Sequence, residues 1–229
     1  MSEKPILFSA PMVRAILDGT KTQIRRVVKP QPKDDIAPHQ FPNGFGWRSG
    51  LSHKYGSHTA HFCPYGETGD LLWVRETWAT VNSECGPGFA YRADGCFHQP
   101  EYDGPDFGAG PSFNYDKYPG SYTMWYTDLL DGVPCHNWTP SIHMPRWASR
   151  ITLKVTDVRV QRLQDISEED AMAEGARMQK SCNIPGPFDN GLNFFTYGFK
   201  SLWNSINGAG SWDLNPWVYA ITFERMEGK

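Results

Sequence analysis

Residues 5–30 place the strongest constraint on the fold, because they read as a strand, a short helix, a basic turn and a second strand. Apolar residues at helical spacing predict a helix over residues 11–18 with one buried face: Val13, Ile16 and Leu17. Gly19 follows at the position where a helix end favours a left-handed residue. Short strands with helices packed outside them predict an α+β fold.

A run of cations follows this helix. Residues 20–33 contain no Asp or Glu, although the whole chain has a net charge of −3. The cations of the run are Lys21, Arg25, Arg26, Lys29 and Lys33. A basic run in a mildly acidic chain predicts contact with a phosphate or a nucleotide, and the alternative interpretation is a solvated basic turn. The acidic total argues against a protein that coats DNA generally.

The 229 residues suffice for one large domain with a substantial core, and we predict a single domain over residues 1–229. The five cysteines form no CxxC motif, and the N-terminal residues MSEKPILF lack the pattern of a signal peptide. No apolar run reaches membrane length. These features predict a cytoplasmic protein with free thiols and no membrane partner.

Three later segments carry strong patterns. Residues 71–78 predict a strand with large apolar groups on both faces, and residues 151–163 predict a long strand whose alternation shifts near Asp157. A shift of this kind indicates a bend and favours a small barrel. Residues 167–174 predict a helix with Ser167 as its N-cap. A third helix is predicted around residues 195–206, and a closing strand over residues 216–224.

Two segments are predicted to be loops. Residues 79–145 form a long insertion rich in Gly, Pro and aromatic residues, with a further short strand over residues 122–126. Residues 33–66 show little periodicity and contain His58, His61 and Cys63. Their spacing fits no common zinc site, so we predict no metal and no cofactor, and a solvated loop instead.

Four motifs together resemble ASCH domains, which belong to the PUA-like superfamily. They are GTKTQIRRVVKP (residues 19–30), WVRETW (residues 73–78) and LQDISEEDA (residues 163–171), with NPWV at residues 215–218. The likeness is greatest to the larger members carried by phages and prophages. It covers most of the chain outside the 79–145 insertion and residues 178–193. The resemblance implies a small, bent PUA-like β-barrel with flanking helices.

The resemblance also implies a ligand and a pair of catalytic residues. Superfamily relatives bind RNA or modified bases in a cleft, and one small ASCH group hydrolyses the amide of N4-acetylcytidine. Lys21 and Glu174 match a catalytic Lys and Glu of that group. Ile24 stands where the group has a Thr, which removes the hydroxyl nucleophile. Thr22 is the nearest hydroxyl in sequence on the same side of an extended chain.

The sequence leaves three functions open. The first is binding of RNA, single-stranded nucleic acid or a modified nucleoside, the second is hydrolysis of an N4-acetylcytidine-like substrate, and the third is a phage accessory role in binding another protein. Candidate nucleotide-binding residues combine cations, hydroxyls and loop tryptophans. They are Thr22, Arg25, Arg26, Glu76, Trp78, Trp147, Ser149, Arg150, Trp212 and Asn215. Trp203 and Trp217 lie in apolar stripes, which indicates a core role.

Overall fold

The computed structural model describes residues 2–33, 35–50, 59–100, 113–133, 137–178 and 194–226. The α-helices in these ranges are α1 (Ala10–Leu17), α2 (Tyr126–Leu130), α3 (Glu168–Ala173) and α4 (Phe194–Asn207). The strands are β1 (Glu3–Leu7), β2 (Gln23–Val27), β3 (Ala37–Phe41), β4 (Gly44–Ser49), β5 (Thr59–His61), β6 (Leu71–Arg75), β7 (Trp78–Ser83), β8 (Gly86–Tyr91), β9 (Phe97–His98), β10 (Thr152–Arg162) and β11 (Trp217–Met226). The described part of the chain is therefore mixed α and β, as predicted.

The largest sheet has five strands in the order β1-β6-β10-β11-β2. β11 and β2 are antiparallel, with Ile221 opposite Ile24 and Tyr219 opposite Arg26. Because the order ends in two different strands, β1 and β2, this sheet is open. The predicted closed barrel is therefore not found among the described strands, which form this sheet and two three-stranded sheets, β3-β4-β5 and β7-β8-β9.

The chain divides into two compact units. Unit 1 comprises Met1–Lys4, Ala15–Leu72 and Leu153–Glu227. Unit 2 comprises Pro5–Arg14, Trp73–Thr152 and Gly228–Lys229.

In unit 1, α3 and α4 share an apolar core. Its buried members come from both helices, from β11 and from the segments that follow β10, α3 and α4: Leu163, Ile166, Ala171, Ala176, Phe199, Trp203, Trp212 and Val218. The same unit contains the sheet β3-β4-β5, whose Trp47 packs on Tyr219 with ring centroids 5.6 Å apart. Gly46 is required in β4, because a Cβ there would lie 2.8 Å from the carbonyl oxygen of His61. The aromatic stripe predicted for the third helix thus faces a core.

In unit 2, the hairpin β7-β8 is covered by an aromatic cluster. Trp78, Phe89, Tyr91, Phe113 and Tyr122 are all buried in it, together with Met144 and Ala148. Trp147 is partly buried and contacts both Trp78 and Phe89, each with ring centroids 5.4 Å apart. The loop predicted for residues 79–145 therefore needs correction: this segment contains most of β7 together with β8, β9 and α2, and its aromatic residues pack with Trp78 and Ala148 in one core.

Several predicted elements need correction. A solvated loop was predicted for residues 33–66, but this segment contains β3, β4 and β5. The prediction was wrong because polar residues and glycines obscure the alternation of apolar and polar residues in these strands. The strand predicted over residues 71–78 is two strands, β6 and β7, separated at residues 76 and 77. Residues 122–126 lead into α2 and form no strand. The long strand β10, the helices α1, α3 and α4, and the closing strand β11 are confirmed.

Among the helices that the structure describes, none is long and apolar enough to cross a membrane.

Candidate functional site

The turn between α1 and β2 delivers Lys21 to the end of α3. Gly19 adopts φ of 72°, the left-handed conformation that ends a helix, and the amides of Thr20 and Lys21 both donate to the carbonyl of Ala15. Lys21 and Glu174 then form an antiparallel β-bridge, and the Thr22 amide donates to the carbonyl of Ala173 at 2.8 Å. Backbone hydrogen bonds therefore fix the positions of Lys21 and Glu174 before their side chains meet.

Helix α3 presents two carboxylates on one face. Ser167 caps its N-terminus by accepting a hydrogen bond from the Asp170 amide. Asp170 and Glu174 are four residues apart, so their side chains lie one above the other on the helix. Glu174 is the C-cap, and Gly175 follows with φ of 76°. A carboxylate at the C-terminal end of a helix is disfavoured by the helix dipole, so Glu174 needs a cation nearby.

Strand β2 and the residues just before it supply the cations. Lys21 Nζ donates to Glu174 Oε2 at 2.7 Å and to the Glu174 carbonyl at 2.8 Å. Arg25 donates through Nη1 to Glu174 Oε1 at 3.1 Å and through Nη2 to Asp170 Oδ2 at 2.7 Å. Gln23 bridges Arg25 and Asp170. We call Lys21, Gln23, Arg25, Asp170 and Glu174 the Lys21 network.

Three charged side chains of the Lys21 network are almost completely buried. Lys21, Arg25 and Glu174 are 2%, 3% and 4% exposed. Burial lowers the pKa of Lys21 below its ordinary value and outweighs the opposing effect of Glu174. Burial alone would raise the pKa of Asp170, but the hydrogen bond from Gln23 and the charge of Arg25 lower it below its ordinary value. A lysine whose neutral form is favoured by burial can act as a base.

The Lys21 network has spare donors. Arg25 Nε is buried and has no hydrogen-bond partner among the described residues. The Lys21 ammonium has three protons, and two of them are donated to Glu174. A buried donor without an acceptor is costly. The network therefore suits a ligand that brings an acceptor oxygen, such as a carbonyl.

Thr22, Ile24 and Arg26 project from the opposite face of the extended segment. Ile24 is 2% exposed and lies opposite Ile221 in β11. Thr22 is exposed, and the Arg26 guanidinium lies over the Tyr65 ring at 5.9 Å from its centroid. The side chains predicted together from the basic run are thus divided between two faces: Lys21 and Arg25 on one, Thr22 and Arg26 on the other.

Glu76, Ser149 and Arg150, all in unit 2, are engaged within that unit. Arg150 donates to both oxygens of Glu76 at 2.9 and 3.0 Å and also binds Asp94. Its guanidinium lies 4.1 Å from the centroid of the Tyr91 ring. Burial raises the pKa of Glu76. Ser149 donates to the carbonyl of Val74 at 2.7 Å, so these residues support the fold of unit 2.

The predicted stacking residues also have local contacts. Trp78 is buried against Trp147 in unit 2, as described above. Trp212 is 8% exposed and lies in the core of unit 1, with its ring 6.1 Å from that of Phe199. Asn215 has φ of 41°, and its side chain accepts from the amide of Gln164 at 2.9 Å. These four residues have structural contacts in the described chain.

The histidine and cysteine residues considered for zinc do not converge within the described residues. His61 is buried and lies 2.9 Å from the Ser49 hydroxyl, and burial lowers its pKa. His58 lies outside the described residues. In the ranges that the structure covers, no group of three or more His, Cys, Asp or Glu side chains is arranged to hold a metal ion.

Sequence reasoning missed two members of the Lys21 network, Gln23 and Asp170. The signals were present: Lys21, Gln23 and Arg25 alternate along one face of an extended segment, and Asp170 and Glu174 are one helical turn apart. Asp170 also lies in the first turn of α3, where the helix dipole favours an acid. This position is compatible with its second role as a partner of Arg25.

Comparison of the chain with protein-family models, with curated proteins and with solved structures gave no match.

Proposed function

We propose that unit 1 is a nucleic-acid- or modified-nucleoside-binding module of the ASCH type, within the PUA-like superfamily. One observation carries the proposal: Lys21 and Glu174 are 153 positions apart and make a 2.7 Å contact. These are the two residues that the sequence resemblance assigns to one site. The partner that follows from the resemblance is RNA, single-stranded nucleic acid or a modified nucleoside.

The energetics of the Lys21 network support a role beyond stability. Two cations and two carboxylates are held together with little access to water, and a buried ion pair is often no more stable than apolar residues of the same volume. Clusters of buried ionisable groups with shifted pKa values are candidate functional sites. The spare donors of Lys21 and Arg25 match the carbonyl oxygen of a pyrimidine base or of an acyl group on it.

Titration of unmodified and N4-acetylated cytidine, read by tryptophan fluorescence, tests the proposal. Wild type should bind at least one of them, and Lys21→Met should bind it at least tenfold more weakly. Because Lys21→Met also removes a buried charge, its folding is checked by circular dichroism. Glu174→Asp provides a second variant, which keeps the charge and shortens the side chain by one methylene. Wild-type affinity in both folded variants would refute the proposal.

Hydrolysis of an N4-acylated cytidine is a second candidate, favoured by the lowered pKa of Lys21. A neutral Lys21 amine would accept the proton of an attacking water or hydroxyl as its oxygen bonds to the acyl carbon. The C–N bond then breaks, and the proton passes to the departing N4 nitrogen. Attack by water leaves acetate and cytidine, whereas attack by a hydroxyl leaves cytidine and an acetyl ester of that hydroxyl, which a water molecule then hydrolyses to release acetate. Glu174 would orient the ammonium form of Lys21 during this transfer.

The nucleophile in this second candidate is water or Thr222. Ile24 has no hydroxyl, and it lies on the face of β2 opposite the Lys21 network. Thr222, in β11, lies opposite Gln23, and the Thr222 hydroxyl accepts a hydrogen bond from Nε2 of the Gln23 side chain at 3.1 Å. Chromatography of the products from N4-acetylcytidine tests the reaction. Loss of turnover in Thr222→Val indicates attack by the hydroxyl, whereas turnover retained in Thr222→Val and lost in Lys21→Met indicates attack by water.

A further inference from the structure

A pocket of about 410 Å³ opens in unit 1 on the side of β2 that carries Arg26. Its lining includes the following six residues, which define the Arg26 pocket: Arg26, Lys29, Phe62, Tyr65, Asn207 and Tyr219. The volume falls within the range of roughly 300–1,000 Å³ that is common for small-molecule sites. Neither Lys21 nor Glu174 lines it.

The chemistry of the lining is unusual for this chain. The Arg26 pocket combines two cations with three aromatic rings, and its described lining contains no carboxylate, whereas the chain as a whole has a net charge of −3. Cations attract phosphate, and aromatic rings provide surfaces on which a base can stack. The two features together match a nucleotide better than they match a neutral apolar ligand.

Tyr65 is held on a tight turn at the edge of the pocket. The amide of Gly66 donates to the carbonyl of Cys63 at 3.1 Å, which makes Pro64 and Tyr65 the central residues of a β-turn. Proline fixes φ at the first central position. Gly66 has φ of 101°, where a side chain would be strained. The Tyr65 ring is therefore presented by a backbone with little freedom.

The backbone around Lys29 is fixed as well. The Gln31 side chain donates through Nε2 to the carbonyls of Val28 and Trp217 at 2.6 and 3.0 Å, and its Oε1 accepts from the Trp217 amide at 2.8 Å. The Val28 amide also donates to Trp217. The short segment that carries Lys29 is thereby held to β11 on both sides. Preorganisation of this kind lowers the cost of binding.

Arg26 and Phe62 are positioned through Tyr219. Arg26 lies opposite Tyr219 in the β2-β11 register, so the two side chains share a face. The Tyr219 hydroxyl donates to the carbonyl of Phe62 at 3.0 Å. Phe62 itself is 39% exposed and Tyr65 is half-buried, which leaves aromatic surface accessible to a ligand.

We infer that the Arg26 pocket binds one nucleotide, with the phosphate at Arg26 and Lys29 and the base against Tyr65. This goes beyond the proposed function, because it concerns the opposite face of β2 and does not use the Lys21 network. A free nucleotide and a nucleotide within single-stranded RNA share this chemistry.

Fluorescence anisotropy of a labelled single-stranded RNA hexamer, with competition by cytidine 5′-monophosphate and by cytidine, tests the inference. Tyr65→Ala should weaken binding about ten- to hundredfold, because a base then loses its stacking surface. Tyr65→Phe keeps the ring and should bind as wild type. Lys29→Ala should reduce the slope of log affinity against log salt concentration by about one. Lys154→Ala, in β10 and outside the pocket, is the matched control and should change neither quantity.

The competitors identify the ligand. Competition by cytidine 5′-monophosphate but not by cytidine supports recognition of the phosphate, and displacement by unlabelled RNA alone supports a nucleotide within a strand. Equal competition by cytidine and its monophosphate overturns the inference, as does equal competition by an acidic peptide. Wild-type affinity in folded Tyr65→Ala also overturns it.

The two proposals fail separately. If Lys21→Met loses binding and Tyr65→Ala binds as wild type, the inference about the Arg26 pocket is refuted and the proposed function is supported. If Tyr65→Ala loses binding and Lys21→Met binds as wild type, the inference about the Arg26 pocket is supported and the Lys21 network has no role in binding. Both proposals are refuted if wild type binds none of the four probes: cytidine, N4-acetylcytidine, cytidine 5′-monophosphate and the RNA hexamer.

Discussion

The pair formed by Lys21 and Glu174 predicts a non-additive double-mutant cycle. Nζ and Oε2 lie 2.7 Å apart, and both side chains are at most 4% exposed, so water screens them little. At an effective dielectric constant of about 20, two unit charges at this separation attract by about 6 kcal/mol. The attraction offsets a desolvation cost of several kcal/mol for each ion. Removal of one partner cancels the attraction but leaves the other ion desolvated.

The two single substitutions should differ in cost. Glu174→Gln removes the anion that faces both Lys21 and Arg25, so it should destabilise the fold by about 5 kcal/mol, the upper end of the range for broken buried pairs. Lys21→Met leaves Glu174 paired with Arg25 at 3.1 Å, so it should cost about 3 kcal/mol. The order of the two values follows from the position of Glu174 between two cations.

The double variant Lys21→Met/Glu174→Gln removes both charges. Its destabilisation should be smaller than the sum of the single values by about 2–3 kcal/mol, as expected for contacting residues. Urea unfolding followed by tryptophan fluorescence gives the four free energies, and unchanged slopes would show that the variants unfold over the same surface.

Lys154 and Glu224 provide the matched control. They also form an ion pair in unit 1, but at 3.5 Å with side chains 42% and 57% exposed. Their coupling should be below about 1 kcal/mol, because solvent screens exposed pairs. Equal coupling in the two cycles, or additivity within about 0.5 kcal/mol for Lys21 and Glu174, would refute the reasoning from burial.

Three further predictions concern pH and substitution. Because the pKa of Lys21 is lowered in the folded state, the unfolded chain binds more protons than the folded chain as the pH approaches 10.5. The stability of wild type relative to Lys21→Met should therefore rise with increasing alkaline pH, as measured by urea unfolding. Because the pKa of Asp170 is lowered in the folded state, its carboxylate stabilises the fold at pH values above its unfolded pKa of about 3.9, and this stabilisation is lost as the pH falls further. In acid unfolding experiments, the stability of Asp170→Asn should therefore depend less on pH below about pH 4 than the stability of wild type does. Ile24→Thr should add no hydrolysis of N4-acetylcytidine in a product assay, since residue 24 faces away from Lys21. A gain of turnover in that variant would show that the two faces of β2 communicate.

The helices and the long strands were predictable because their signals are local. Gly19 marks the end of α1, Ser167 marks the start of α3, and the aromatic stripe of α4 repeats at helical spacing. The strands β3, β4 and β5 were not predictable by the same means. Their pattern depends on tertiary contacts, such as the close approach of the His61 carbonyl to Gly46 and the packing of Trp47 on Tyr219. The periodicity of a sequence contains no information about such tertiary contacts.

The composition of the candidate site was predictable in part. The resemblance joined Lys21 to Glu174, and the structure places them in contact. The basic run was treated as one surface, however, although an extended chain alternates its side chains between two faces. Glu76 and Arg150 were predicted to bind a nucleotide, and each has a charged partner inside unit 2. An ion pair of this kind has the same residue composition as a ligand site, so the sequence alone does not separate the two roles.

The alternation along β2 connects the two proposals. Gln23 and Arg25 join Lys21 on the α3 side, whereas Arg26 joins Tyr65 and Tyr219 on the other. If the basic run served only as a solvated turn, Arg25 would be exposed to water, whereas it is 3% exposed and paired with Asp170 and Glu174. If the run served only to tie α3 to the sheet, there would be no reason to expect Arg26 and Lys29 to line a pocket together with aromatic rings. One strand therefore supplies a buried ion network to one face and a cationic, aromatic surface to the other, and substitutions of Lys21 and of Tyr65 test the two faces separately.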